Sequence, residues 1–107
     1  MDNKSITYNK LVRDRIPEII IEAGKNPIAR ILTDNEYNKE LTNKLQEELN
    51  EYKEVNDIEE LADLQEVINS ILDYRNISKE KFYKIVNTKR EQRGSFKDKI
   101  FLERVEG

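Results

Sequence analysis

Four acidic side chains are arranged symmetrically about one short segment of the chain. Glu48 and Glu51 precede this segment, Glu60 and Asp63 follow it, and both the inner and the outer pair centre between positions 55 and 56. Within each half the spacing is i, i+3, which places two carboxylates on one helix face about 4.5 Å apart along the axis. Two helices that fold back here would bring all four carboxylates to one level. Because close carboxylates repel unless a cation lies between them, the pattern predicts a site for a hard divalent ion such as Mg²⁺.

Helical patterns on both sides of the segment would position these acids. Residues 33–36 (Thr-Asp-Asn-Glu) fit a capping box that opens a helix to about Lys53, and Asp57 begins a second helix with apolar residues every three or four positions. At 100° per residue from Leu41, Glu48 falls inside the apolar stripe of the first helix. A carboxylate among apolar side chains is costly to desolvate without a partner. Glu48 is therefore the strongest single candidate for a metal ligand.

The remaining patterns predict two further helices and a small β element. A short helix ends at Ala23, before a glycine, and a longer one runs from Ser78 to near Gly94. The partly alternating segments 28–32 and 100–105 are candidate strands that could pair with each other. The predicted fold is mainly α, an antiparallel helical bundle with this small β element.

The composition predicts a single domain, residues 1–107, that associates with copies of itself. Only 36% of its residues are hydrophobic and 38% are charged. A lone chain of this length would bury little apolar surface. We therefore expect a homo-oligomer, a dimer or a tetramer, in which helices share a core across subunits.

The charge and the residue inventory exclude several classes of function. A formal net charge of −3 argues against a nucleic-acid surface, which needs clustered positive charge. The chain has no Cys and no His, so thiolate and imidazole metal sites are excluded and any metal must be held by oxygen. No apolar run reaches membrane-spanning or signal-peptide length. We expect a cytoplasmic protein with neither a nucleic-acid nor a membrane partner.

Each candidate acid also has a simpler interpretation. Acidic residues on helices commonly face solvent, which would suffice for Asp63 and for Glu47 on the flank of its helix. Asp57-x-x-Glu60 is itself a capping-box pattern, so Glu60 could only reach back to a backbone N–H. The solvent-facing interpretation is weakest for Glu48.

Four basic residues are candidates for contacts with substrate phosphates, and they too have simpler interpretations. Lys89 and Arg93 lie in the last turn of a predicted helix, where cations complement the macrodipole without any ligand. Lys10 and Arg13 could pair with surface acids. A functional interpretation would have these groups bind phosphate oxygens beside the metal.

The acidic residues resemble a known family signature. Glu47-Glu48-x-x-Glu51 followed by Glu60-x-x-Asp63 resembles the EExxE…ExxD motif of the all-α NTP pyrophosphatases, which include MazG-type enzymes, dimeric dUTPases and phosphoribosyl-ATP pyrophosphohydrolase. Residues 8–17 (YNKLVRDRIP) and 93–96 (RGSF) are similar to the MazG-related, phosphoribosyl-ATP pyrophosphohydrolase-like branch. Only eight residues separate the two acidic halves, fewer than is common in the superfamily, which suits a tight hairpin.

The resemblance implies a fold, an activity and a set of site residues. It implies antiparallel helices that oligomerise and Mg²⁺-dependent cleavage of a nucleoside triphosphate between the α and β phosphates, giving a monophosphate and pyrophosphate. Glu48, Glu51, Glu60 and Asp63 would bind Mg²⁺, and Glu47 would either orient a water or support the metal ligands without binding the ion itself. Since the chain has no His or Cys, we expect direct attack by water activated at the metal.

Two other functions remain open, and a purely structural oligomerisation domain is the weakest alternative because it would leave Glu48 in the apolar stripe unexplained. One is hydrolysis of phosphoribosyl-ATP itself, although the YNKLVRD start favours a related branch. The other is a non-catalytic helical module that binds nucleotide or metal and regulates a partner. Retention of all four acids favours the enzyme.

Overall fold

The structure, a computed structural model, describes residues 4–107 and is mainly α-helical. Its helices are α1 (Ile16–Glu22), α2 (Asp34–Val55), α3 (Ile58–Tyr74) and α4 (Lys79–Arg93). Each predicted helix is present with ends close to the predicted ones. α2 continues two residues beyond its predicted end at Lys53.

The start of α2 is fixed by the predicted capping box. The Glu36 backbone N–H donates to Thr33 Oγ1 at 3.3 Å, and the Thr33 N–H donates to the Glu36 carboxylate at 3.1 Å. Arg30 adds two hydrogen bonds to the same carboxylate. These contacts satisfy two backbone donors that a helix start leaves without intrahelical partners.

Two residues reverse the chain between α2 and α3. Asn56 ends α2 in the left-handed conformation, with φ of 58° and ψ of 39°, and its N–H donates to the Tyr52 carbonyl. Asn tolerates this conformation better than most residues because its short polar side chain can bond locally. Asp57 then caps α3 by accepting a hydrogen bond from the Glu59 N–H.

α2 and α3 pack against each other as an antiparallel hairpin. The Tyr74 hydroxyl at the end of α3 donates to the Asp34 carbonyl at the start of α2, at 3.3 Å. The Tyr37 and Tyr74 rings meet edge to face beside this bond, 5.6 Å between centroids. Among residues 4–107, the buried apolar side chains all belong to this hairpin, and they are Leu41, Val67 and Leu72.

The predicted β element is not formed. Residues 28–32 and 100–105 are extended coil, and no strand occurs anywhere in the described range 4–107. Their apolar side chains face solvent, as shown by Ile31 at 96% and Phe101 at 88% exposure. A pair of short strands is at best marginally stable without further strands or a covering helix.

Helices α1 and α4 lie largely apart from the hairpin. α2 with α3 is the only pair of described helices in extensive contact, so the predicted bundle is limited to two helices within one chain. The radius of gyration is 19.1 Å, whereas a compact domain of this length has about 13 Å. The solvent-accessible surface is 10305 Å², against about 6,200 Å² for a compact monomer of this mass.

Candidate metal centre

The hairpin brings five carboxylates together across α2 and α3. Two trios of oxygens form, one from Glu47, Glu48 and Glu51 and one from Glu48, Glu60 and Asp63, and within each trio the oxygens lie within 4.8 Å of one another. Glu48 belongs to both trios. Opposed ligand oxygens on Mg²⁺ are about 4.2 Å apart, so either trio is near the spacing that one cation requires.

Glu48 is buried at the centre of this cluster. The residue is 6% exposed, and its Oε2 atom has no hydrogen-bond partner. Its Oε1 atom lies 3.6 Å from Lys44 Nζ. Burial first, and then the charge of Glu51, raise the pKa of the Glu48 carboxyl above its ordinary value. An unpartnered buried carboxylate oxygen is costly unless a cation or a proton reaches it.

Glu51 and Glu60 lie side by side at the end of the cluster nearest the turn. Desolvation first, and then the neighbouring Glu51 carboxyl, raise the pKa of the Glu60 carboxyl above its ordinary value. Two neighbouring carboxylates repel each other, and a cation between them would relieve that repulsion.

The capping-box interpretation of Glu60 is not supported. The Asp57 side chain accepts its hydrogen bond from the Glu59 N–H, and the Glu60 N–H donates to the Asp57 carbonyl. Glu60 Oε2 is buried without a partner, like Glu48 Oε2. The Glu60 carboxylate therefore faces the other acids rather than the start of its own helix.

Three basic side chains border the cluster. Lys10 Nζ donates to Glu47 Oε1 at 2.8 Å, Lys44 Nζ donates to Glu47 Oε2 at 3.1 Å, and Arg13 Nη2 donates to Asp63 Oδ1 at 2.6 Å. Burial alone would raise the pKa of Glu47, but the two lysines outweigh it, so the pKa is lowered. The hydrogen bond with Glu47 correspondingly raises the pKa of Lys10.

The predicted phosphate contacts divide into two groups. Lys10 and Arg13 lie at the acidic cluster. Lys89 and Arg93 lie on α4, and within residues 4–107 their side chains form neither an ion pair nor a hydrogen bond. Which of the four contact a phosphate stays a prediction.

Lys44 was not predicted as a site residue, although the sequence carried a signal for it. It lies three and four residues before Glu47 and Glu48, which is the spacing at which helix side chains pair. Its side chain is only 17% exposed, so it is a resident counter-ion of the cluster rather than a solvated surface lysine.

The donor set suits a hard divalent cation. All five acidic ligands offer oxygen, which Mg²⁺, Ca²⁺ and Mn²⁺ prefer over softer metals. Five ionised carboxylates against three cations leave two negative charges, and one divalent ion would neutralise them. The charge, the spacing and the unpartnered buried oxygens fit a metal ion between α2 and α3.

Comparison with known proteins gives one relative and no function. No family model matches the chain. An uncharacterized protein of Mycolicibacterium smegmatis (strain ATCC 700084 / mc(2)155) is 50% identical over 44 residues, which are 41% of this chain and 45% of that protein. The chain thus covers less than half the length of this relative. No solved structure matches.

Among residues 4–107, no helix combines the length and the apolar character needed to cross a bilayer. The longest of the described helices, α2, carries three acids of the cluster, Glu47, Glu48 and Glu51.

Proposed function

We propose that this protein is a cytoplasmic, Mg²⁺-dependent nucleoside triphosphate pyrophosphohydrolase of the all-α NTP pyrophosphatase type. The observation that carries the proposal is the Glu48 carboxylate, which is buried within the hairpin, has an unpartnered Oε2 atom and is shared by both acidic trios. The resemblance of the acidic motif to the EExxE…ExxD signature supplies the reaction class.

The side chains of the cluster have distinct proposed roles. Glu48, Glu51, Glu60 and Asp63 would hold the metal, which when bound supplies positive charge to the triphosphate and to the departing pyrophosphate. Glu47, at the rim of the cluster, would accept a proton from the attacking water. The water oxygen bonds to phosphorus as the α–β anhydride bond breaks, giving a monophosphate and pyrophosphate.

The charge of the molecule constrains how substrate binds. Both the chain, at a formal charge of −3, and a triphosphate are anionic, so they can meet only through cations. Lys10 and Arg13 are the basic residues nearest the cluster and would bind phosphate oxygens. Lys89 and Arg93 would reach the same substrate only from α4 of a second copy in an oligomer.

Association of two or more copies forms part of the proposal. A shallow groove of about 560 Å³ lies along the outer face of the hairpin and is lined mainly by Leu45, Leu49, Leu64 and Ile68. The chain exposes about 4,000 Å² more surface than a compact monomer of its mass. Pairing of two hairpins across these grooves would complete a four-helix bundle.

A product assay tests the proposed reaction. The purified protein is incubated with Mg²⁺ and a panel of canonical, deoxy- and modified triphosphates, and pyrophosphate is scored against orthophosphate. We expect pyrophosphate as the first product. Glu48→Gln and Asp63→Asn should lower kcat/KM on the order of 100-fold, since each removes a ligand worth a few kcal/mol of charge stabilisation.

The matched control is Glu66→Gln, an exposed acid of α3 outside both trios. It should retain full activity, and circular dichroism should show that all three variants fold. Orthophosphate as the first product would mean that a different bond is cut. Nucleotide binding without turnover on any substrate would instead favour the regulatory module, and selective cleavage of phosphoribosyl-ATP would favour that enzyme.

A further inference from the structure

Residues 10–13, here called the N-terminal strap, bridge the two helices of the acidic cluster. At one end Lys10 reaches α2 through Glu47, and at the other Arg13 reaches α3 through Asp63. The contacts link positions 37 and 50 residues apart in sequence. The strap therefore crosses the cluster and places one positive charge on each helix.

Both carboxylate oxygens of Glu47 accept a hydrogen bond from a lysine while the strap is in place. Its Oε1 atom accepts from Lys10 at 2.8 Å and its Oε2 atom from Lys44 at 3.1 Å. Lys44 belongs to the same helix and its side chain is 17% exposed, whereas the Lys10 side chain is 40% exposed. Lys10 is thus the partner that can leave Glu47 at the lower cost.

Asp63 is held in a similar way. Arg13 donates to Asp63 Oδ1 at 2.6 Å, and the two side chains are 56% and 39% exposed. Asp63 also belongs to the trio that shares the buried Glu48, whose Oε2 atom lacks a partner. Exposed ion pairs contribute little to stability, so this contact can be exchanged without unfolding the hairpin.

We propose that Lys10 and Arg13 are exchangeable counter-ions. They occupy Glu47 and Asp63 in the metal-free protein, give way to the divalent ion, and then bind the phosphate oxygens of the substrate. Displacement of the two side chains by a metal ion is inferred from the geometry of the cluster, whereas their binding to phosphate rests on the proposed function.

The charge balance shows what the exchange changes at the cluster. With the strap in place the five carboxylates and three cations leave two negative charges, and with Lys44 alone they leave four. Departure of the strap thus strengthens the attraction for divalent ions while offering two positive charges to an anionic substrate. The forked guanidinium of Arg13 matches phosphate as well as carboxylate.

Metal titration without nucleotide tests the first half. Mn²⁺ is titrated calorimetrically into the wild-type protein, Lys10→Gln, Arg13→Gln and the control Arg15→Gln. Arg15 carries the same charge but pairs with Glu18 of α1 at 3.1 Å, away from the cluster. We expect each strap variant to bind Mn²⁺ roughly two- to fivefold more tightly, the value of one exposed ion pair, with Arg15→Gln unchanged.

Steady-state kinetics at saturating Mg²⁺ test the second half. With the triphosphate that the wild-type protein cleaves fastest, Arg13→Gln should raise KM by about tenfold, the loss of one charge-assisted hydrogen bond. Metal binding should therefore tighten while substrate binding weakens. Substitution of a residue that only supports the structure would weaken both metal binding and substrate binding.

The outcomes separate this inference from the proposed function. Unchanged or weaker Mn²⁺ binding in both strap variants overturns the exchange, even if the wild-type protein releases pyrophosphate. Tighter Mn²⁺ binding in a protein that releases no pyrophosphate from any triphosphate supports the metal exchange and overturns the proposed function. A wild-type protein that binds no Mn²⁺ overturns both.

Discussion

Glu48 is placed by the geometry of α2 rather than by its own preference for water. It lies two helical turns after Leu41 on the same face, and the two residues are 6% and 3% exposed. Packing of α3 on this face removes water from the carboxylate, and Lys44 at 3.6 Å offsets only part of the lost hydration. Glu60 Oε2 is likewise buried without a partner, and such costs are typical of a functional site.

The energetic cost of Glu48 predicts a pH dependence in metal-free protein. Because its pKa is raised, the folded chain holds this proton at a pH where the unfolded chain, with a pKa near 4.5, has lost it. The free energy of unfolding should therefore fall as pH rises above about 4.5. With a metal chelator at neutral pH, the Glu48→Gln protein should be more stable than the wild type by about 1–3 kcal/mol. This is the usual free-energy penalty of a buried polar group without a hydrogen-bond partner.

Urea titrations between pH 5 and pH 8 measure this effect. Glu66→Gln serves as the control, because its exposed carboxylate should leave the pH profile of the wild type unchanged. Added Mg²⁺ should stabilise the wild-type protein more than Glu48→Gln, since the metal replaces the missing partner. A Glu48→Gln protein that is less stable without metal would show that Glu48 is already satisfied by its protein neighbours.

Sequence reasoning found the carboxylates of the cluster because their spacing is a property of one hairpin. The i, i+3 pairs and the two-residue turn fix their meeting once both helices form. The contacts of Lys10 and Arg13 could not be derived in this way, because they depend on how a coil segment 37 to 50 residues away lies on the hairpin. Only their charge made them candidates.

At the scale of elements, helix starts were the most predictable features. A capping box needs only local residues, and Thr33 with Glu36 forms it as the sequence indicates. The β element needed two distant segments to meet, and alternation alone does not provide the cover that would hold them together. Ile28 and Val105 are 90% and 82% exposed, so a stable strand pair would need a further element that covers these side chains.

The capping box of α2 makes a prediction about helix stability. Thr33→Ala should lower the free energy of unfolding by about 1 kcal/mol, because a helix N–H loses its acceptor. Thr88→Ala, at an exposed position within α4 and outside the groove, is the control and should have little effect or stabilise slightly. Thermal and urea unfolding would measure both, and equal effects would contradict a specific role of the cap.

Glu36 adds a pH dependence of the opposite sign to that of Glu48. Its hydrogen bond from Arg30 first, and then those from Thr33, lower its pKa to about 2. A lowered pKa stabilises the folded state above the unfolded value near 4.5, and this contribution is lost as pH falls toward 2. Glu36→Gln should therefore reduce the loss of unfolding free energy as pH falls below about 4.5, without changing its pH dependence above pH 5.

At the scale of the whole molecule, the isolated chain has too little core for its length. Three apolar side chains are buried in the described part of the chain, whereas the molecule extends over 70 × 31 × 25 Å. A sequence with 38% charged residues predicted a shared core. It could not predict which face is shared, because this depends on where α2 and α3 leave their apolar side chains after packing on each other.

The groove on the outer face of the hairpin is our candidate for that shared face. Leu49 and Leu64 line it from the two helices, and Leu49 is 42% exposed in the single chain. If a second hairpin covers the groove, Leu49→Lys and Leu64→Lys would each bury an unpaired ammonium at the interface. We expect these variants to elute as monomers in size-exclusion chromatography with light scattering, under conditions where the wild-type protein is a dimer or tetramer.

Gln65→Lys is the matched control, since it adds the same charge to α3 one position away but outside the groove. It should leave the oligomer intact. Leu49 is already partly solvated, so its substitution should cost the isolated chain little, and circular dichroism would verify that the hairpin still forms. Dissociation by Gln65→Lys but not by the two leucine variants would place the interface elsewhere.

If the oligomer brings α4 to the cluster, the leucine variants should also lose pyrophosphohydrolase activity, because Lys89 and Arg93 could no longer reach the substrate.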